Sequence, residues 1–421
     1  MSAPLPYPSL ADAFEQFRHR LPARARLYVG GASGEPLGLA RLFAAEPELT
    51  SGLTFLGAWV AGMNLTDWAG FHHEARAETL FLPPAQRPSF EAGRTRFLPL
   101  SYSQAWHWMA ATPLDGAVIL VSPPDADGNV SLGVSPDFSP LMLARSGVPL
   151  LGIINPHMPA PPHSPKVPLS QFAQLAEDES PLLELPGGPL PPAFETIARH
   201  IAALVDEGDA LQFGVGNVQQ AILSALKGRR GLRIHSGMVS DPVLGMLDAD
   251  PALRVDTGVA TGTRALYDRM ATEPRVHFHP VSKTHFAAAL AAVPRLRAIN
   301  SVIEVDLFGQ ANAEFINGRQ VAGQGGLNDF LRGAALSEGG LAITALMATA
   351  KGGEISRIVP RLPPDAVTVM RTDMDVVITE YGTARLRGKS IDARAEALIT
   401  IADPQHRPML AEEWEAMRRR I

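Results

Sequence analysis

The chain has 421 residues, 46% of them hydrophobic, and a net charge of −6. That length exceeds what one hydrophobic core usually supports, so two domains are expected. With 37 Lys+Arg against 43 Asp+Glu there is no basic excess for a nucleic-acid backbone or an anionic membrane, and zero Cys removes disulfides, thiolate metal sites and a Cys nucleophile together. The stretch MSAPLPYPSLADAFEQF lacks the basic start and apolar core of a signal peptide, and no run reaches the ~20 apolar residues of a membrane span. A globular, cytoplasmic protein is expected.

In chain order, RLYVGGASGEP followed by LGLARLFAA reads as strand, glycine loop and helix. GAVILVSP is an apolar strand entering the Asp-x-x-Gly turn of DADGNVSLG, and PLLGIINP is a strand of buried type. The proline-dense PHMPAPPHSPKVP (156–168) has no periodicity and reads as a loop over a cleft, whereas LPGGPLPPA (185–193) breaks strands and helices alike. The domain boundary is therefore expected at 186–193, with an N-terminal domain over 1–186 and a C-terminal one over 193–421.

The second half opens as the first does: DALQFGVGN leads to the helical VQQAILSALKG, with Val218, Ile222 and Ala225 on one face. Further strands follow in LRIHSGMVSD, VHFHPV, AINSVIEVDL and DVVITEYG, alternating with helical stretches. The second half also carries a strand entering an Asp-x-x-Gly turn, VIEVDLFGQANAE. This pattern predicts two α/β domains of related topology with parallel or mixed sheets covered on both faces. The C-terminal helix places Leu410, Trp414, Met417 and Ile421 at helical spacing, a packing face.

The stretches GVGN, IHSGMVSD, INSVIEVDLFGQANAE, GQGGLNDFLRGA, SRIVPRL, TEYGTARLRGKSIDARAEALI and IADPQHR cover most of 210–407. Together they resemble the acetyl-CoA hydrolase/transferase family, which includes acetate-, succinate- and 4-hydroxybutyrate-specific CoA-transferases. VSPPDADGNVSLGVS and INPHMP resemble the family's first domain. The resemblance implies two CoA-transferase-like (NagB/RpiA-type) α/β domains with the active site in the cleft between them. It also implies a homodimer or higher homo-oligomer, CoA as a substrate with no tightly bound cofactor, and small-molecule partners: an acyl-CoA and a carboxylate.

Transfer of CoA between two carboxylic acids exchanges one thioester for another. A protein carboxylate that forms first an anhydride and then a thioester splits one hard step into balanced ones. Each addition to a carbonyl builds an oxyanion, which backbone N–H groups stabilise. Gly323, Gly325 and Gly326 of GQGG let the backbone approach a ligand closely. The family resemblance points to Gly214, Val215, Gly216 and Asn217, and to Asn328, as contacts of CoA or the acyl oxygen; Asn328 reads equally as an Asn turn. In the motif that matches His235-Ser236-Gly237-Met238, the family's nucleophilic glutamate position holds Gly237, which forms neither anhydride nor thioester.

Glu304 is the substitute candidate. In SVIEVDLFG, period two places Val302, Glu304 and Asp306 on one face, and burial of that face would raise at least one carboxyl pKa. A wet strand face explains the same spacing without chemistry. Asp306 is expected to cap the turn before Gly309. His235 is either a base in the acyl cleft or a hydrogen-bonded core residue. His163 either covers the acyl group or sits in a surface loop. Gly382, Arg385, Arg387, Gly388 and Lys389 meet CoA phosphates or form a solvated basic turn. No His/Asp/Glu cluster has metal-ligand spacing, so no metal is expected. Three functions stay open: a short-chain CoA-transferase, an acyl-CoA hydrolase with Glu304 or His235 as general base, and a CoA-binding protein without chemistry.

Overall fold

The computed structural model describes residues 7–214, 216–364 and 367–420, the side chains of Asn217 and Val218 excepted. The chain forms two compact units, Met1–Pro186 with Asp256–Ser282, and Gly187–Val255 with Lys283–Ile421. The sequence suggests one crossing at 186–193; the chain crosses three times, because 256–282 packs with the first unit.

The first unit is built on seven strands. Their order is Thr95–Phe97, Arg76–Thr79, Leu53–Gly57, Ala25–Val29, Gly116–Val121, Leu150–Ile154 and Gln174–Glu177. Every neighbouring pair is parallel. Gly116–Val121 and Leu150–Ile154 are buried along their whole length, as the continuous apolar runs of a sheet covered on both faces require. One face packs on Tyr28, Leu56, Ile119, Phe138 and Met142. Elsewhere in this core Phe14 meets Phe43 edge-on at 4.8 Å, and Trp59 stacks on Trp68 at 5.9 Å.

The proline-dense loop is tied into this unit. The ring of His163 stacks on that of His277, with centroids 4.1 Å apart and planes 3° from parallel. The backbone N–H of Phe278 donates to the His163 carbonyl at 2.8 Å. Lys166–Pro168 then pairs with Asn129–Ser131, the strand that leaves the Asp-x-x-Gly turn. Asp125 accepts from the backbone N–H of Asp127 and of Asn129 in that turn, the local bonding that makes Asp a turn former.

In the second unit the order is Arg233–Val239, Ala210–Phe213, Leu296–Ser301, Leu341–Ala345, Val376–Thr379 and Gly382–Arg385. The first five are mutually parallel and the last is antiparallel. This repeats the order Leu53–Gly57, Ala25–Val29, Gly116–Val121, Leu150–Ile154 and Gln174–Glu177 of the first unit. The paired strand–glycine–helix openings of the sequence thus occupy equivalent places in two similar sheets. The core gathers Leu296, Ala298, Leu331, Val377, Leu398, Leu410, Trp414 and Met417, so the C-terminal helix Arg407–Arg418 packs as its spacing predicts. Ile421 lies outside the described residues.

Two details depart from the sequence reading. In helix Asn217–Leu226, Ala225 is exposed; Ala221, Ile222, Leu223 and Leu226 are buried instead. A methyl group is small enough to face water at little cost, so the larger aliphatic side chains set the buried face. The run SVIEVDLFG is not one strand: Leu296–Ser301 ends, and Glu304–Asp306 starts a separate three-stranded sheet with Ala311–Asn312 and Ile358–Val359. Within that short strand Glu304 and Asp306 keep the two-residue period, Asp306 buried and Glu304 half-buried, while Val302, also buried, lies before it.

Candidate active site

Strand Ala210–Phe213 is followed in the chain by Arg233–Val239 on one side and, later, by Leu296–Ser301 on the other. A crevice opens outside the carboxyl ends of parallel strands where the winding reverses, and ligands of open α/β sheets bind there. Gln212 and Asn300 mark this point with reciprocal amide hydrogen bonds of 3.3 and 2.9 Å, both side chains buried. Gly214 and Gly216 lie just beyond, at the start of helix Asn217–Leu226. Gly216 has φ +107°, a conformation that a residue with Cβ adopts only under strain. Val215 lies outside the described residues.

On the neighbouring strand, Ser236 is fully buried and its hydroxyl donates to the carbonyls of Phe213 and Met238, at 3.1 and 3.0 Å. His235 is buried beside it. Gly237 is partly accessible, and what stands over it is an imidazole. An ideal Cβ on Gly237 would lie 2.7 Å from both Cε1 and Nε2 of His285 and 3.3 Å from Cζ of Phe330. From the other side, an ideal Cβ on Gly326 would lie 2.5 Å from Cδ2 and 2.8 Å from Nε2 of the same ring. Real Cβ atoms do not approach this closely, so the imidazole sits in a notch that only two glycines leave open.

Two further contacts fix the ring. His285 Nδ1 and Thr284 Oγ1 share a hydrogen bond of 2.8 Å. The Phe330 ring packs 4.7 Å away, tilted by 44°. Phe330 comes from helix Leu327–Leu336, which begins at Gly326. Burial, with nearby His235 adding to it, pushes the His285 pKa down to about 3, so the imidazole is neutral at neutral pH.

The structure therefore joins Gly237 and Gly326, two residues the sequence singled out, through His285, Thr284 and Phe330, which it did not. A lone His in SKTHFAAAL carries no spacing signal, so only the fold reveals its position. Gly325, at φ +55°, completes the turn into the helix. Asn328 sits one residue inside that helix, not in a turn. Its Nδ2 already donates to Gln324 Oε1 at 2.5 Å and to the Thr368 carbonyl at 3.0 Å.

Other sequence candidates lie on different elements. Glu304 stands on the three-stranded sheet, where its Oε2 accepts from Asn312 Nδ2 at 3.1 Å. Its neighbour Asp306 is the carboxyl that burial raises, against the hydrogen bonds it receives. Asp306 accepts from the backbone N–H of Phe308 and Gln310, capping the turn at Gly309 as its sequence predicts. Arg387 is committed to Asp375, whereas Lys389 and Arg385 line a cavity of about 400 Å³ with His200, Thr383 and Thr400. Among the described residues no group of His, Asp and Glu could hold a metal, and no helix is long and apolar enough to cross a membrane.

The sequence pattern of the acetyl-CoA hydrolase/transferase C-terminal domain matches residues 262–414. The 4-hydroxybutyrate coenzyme A transferase of Clostridium kluyveri is 34% identical over 403 residues, which is 93% of this chain and 94% of that protein. Butyryl-CoA:acetate CoA-transferase of Anaerostipes caccae is 30% identical over 78% of each chain. Among solved structures, RipA from Yersinia pestis superposes with a TM-score of 0.88 at 27% identity, covering 96% of this chain and 97% of that one. The 4-hydroxybutyrate CoA-transferase of Porphyromonas gingivalis gives 0.79 at 29%, covering 97% of each. With glycine loops at the strand ends and relatives matched along nearly its whole length, the chain belongs to the acetyl-CoA hydrolase/transferase family.

Proposed function

We propose that this chain is an acyl-CoA:carboxylate CoA-transferase acting on short-chain acyl-CoAs. The observation that carries the reading is the match to a CoA-transferase over 93% of the chain. The glycine-walled notch at Gly237 and Gly326 supports it, because it stands at the strand ends where the sheet winding reverses. In this reading the backbone N–H groups of 323–326 face the thioester oxygen, where donors held in place stabilise the developing oxyanion. Gly214, Gly216 and the start of helix Asn217–Leu226 take part of CoA. Arg385 and Lys389 face its phosphates from the cavity they line. Lys389→Gln is then expected to raise KM for acyl-CoA roughly tenfold with kcat nearly unchanged, since a charge-assisted contact of about 1.4 kcal/mol would be lost from ground and transition states alike. Steady-state kinetics with butyryl-CoA check this.

Transfer needs a carboxylate to receive the acyl group, and Glu304 is the proposed one. The half-buried side chain, steadied by a single amide donor from Asn312, supports its candidacy. The test follows acetyl-CoA formed from butyryl-CoA and acetate, and free CoA in the same samples, for the native chain and Glu304→Gln. Loss of transfer by a factor of about 10³ or more in the variant, with CoA binding retained, is the expected result. Unchanged transfer would remove Glu304 from the mechanism. The glycine at 237 favours one second reading, hydrolysis by water attacking the bound thioester. Stoichiometric free CoA without acetyl-CoA would establish it.

A further inference from the structure

The imidazole of His285 lies where a side chain on residue 237 would have to go. Two independent contacts make this so: the ring touches the ideal Cβ position of Gly237 at 2.7 Å through Cε1 and Nε2, and that of Gly326 at 2.5 Å through Cδ2. The ring cannot swing aside cheaply. Gly326 and Phe330 border it, Thr284 holds its Nδ1, and both Thr284 and His285 are buried. A glycine is therefore needed at 237 for steric reasons alone, independent of any loss of chemistry.

We propose that His285 is the residue that excludes covalent catalysis from position 237, and that the ring must be removed before a carboxylate placed there can react. This rests on the transferase reading above, which holds the thioester against the turn 323–326, beside the notch that Gly326 shares with Gly237. The chemistry that His285 blocks is defined. A carboxylate oxygen on residue 237 would attack the thioester carbonyl, the C–S bond would break, and CoA thiolate would leave behind a mixed anhydride. The thiolate would then attack the protein-side carbonyl and expel the donor carboxylate, leaving a protein–CoA thioester. No oxidant or proton source beyond solvent is needed.

The test uses Gly237→Glu, His285→Ala and the double variant, each incubated with acetyl-CoA, treated with borohydride and mapped by peptide mass spectrometry. Modification at residue 237 is expected in the double variant, at least about tenfold above Gly237→Glu alone, the ratio that overpacking of this size implies. Equal modification of the single and double variants would overturn the proposal. So would an unmodified double variant that still turns over acyl-CoA. A second pair reads the steric claim without CoA. Gly237→Ala should lower Tm by roughly 2–4 °C, and the shift should fall by more than half in a His285→Ala background. An undiminished shift there overturns the proposal, whatever the CoA assays show. If the melting pair behaves as expected but no variant binds or turns over acyl-CoA, the steric relation stands and the transferase reading is what fails.

Discussion

Gly326→Ala is expected to reduce kcat/KM by a hundredfold or more and to destabilise the second unit by roughly 1–3 kcal/mol. The new methyl group would stand 2.5 Å from His285 Cδ2 and 2.7 Å from Phe330 Cε2. Phe330 belongs to the helix that Gly326 begins, so relief requires the turn 323–326 to shift. If the amides of that turn face the thioester oxygen, a displacement of about 1 Å is enough to cost two orders of magnitude. Gly245→Ala is the matched control, because nothing lies within 4 Å of its Cβ position in helix Pro242–Ala249. There the substitution should be neutral or stabilising by a few tenths of a kcal/mol to about 1 kcal/mol. Denaturant unfolding and initial rates on both variants check the pair.

Acidification is expected to destabilise the protein through His285. The folded-state pKa is pushed down to about 3, below the ordinary histidine value of 6.5. Between those values the unfolded chain binds the proton and the folded one does not, so stability falls as pH drops. The slope is about 1.4 kcal/mol per pH unit, several kcal/mol across the window. Asp137 works in the opposite sense. Burial raises it from 3.8 to about 7, so its folded form gains the proton first and acidification from pH 7 favours the native state. The His285 contribution is isolated by comparing slopes: His285→Leu should flatten the loss of stability between pH 6.5 and pH 4 by about one proton equivalent, whatever its effect at pH 7. An unaltered slope would mean that the ring titrates normally in the folded chain.

The strand–glycine–helix openings were legible because apolar runs and turn chemistry are local properties. They predicted two related sheets, and the repeated strand order follows from them. The cap at Asp306 and the packing face at Leu410, Trp414 and Met417 were local in the same way. What the sequence could not carry was long-range. Gly237 reads as a missing nucleophile, yet the reason that no side chain fits there is His285, brought in from a different stretch of chain. The extent of the strand that carries Glu304 differed for a related reason. A two-residue period assumes a continuous strand, and the chain changes sheet between Ser301 and Glu304.

The shared notch is the part of the site on which the functional reading turns: a thioester held at Gly237 against the amides of 323–326. A crystal structure with butyryl-CoA bound measures this directly. The account predicts the thioester carbonyl within hydrogen-bond distance of that turn and its carbon beside Gly237. A pantetheine arm that ends anywhere else would contradict it.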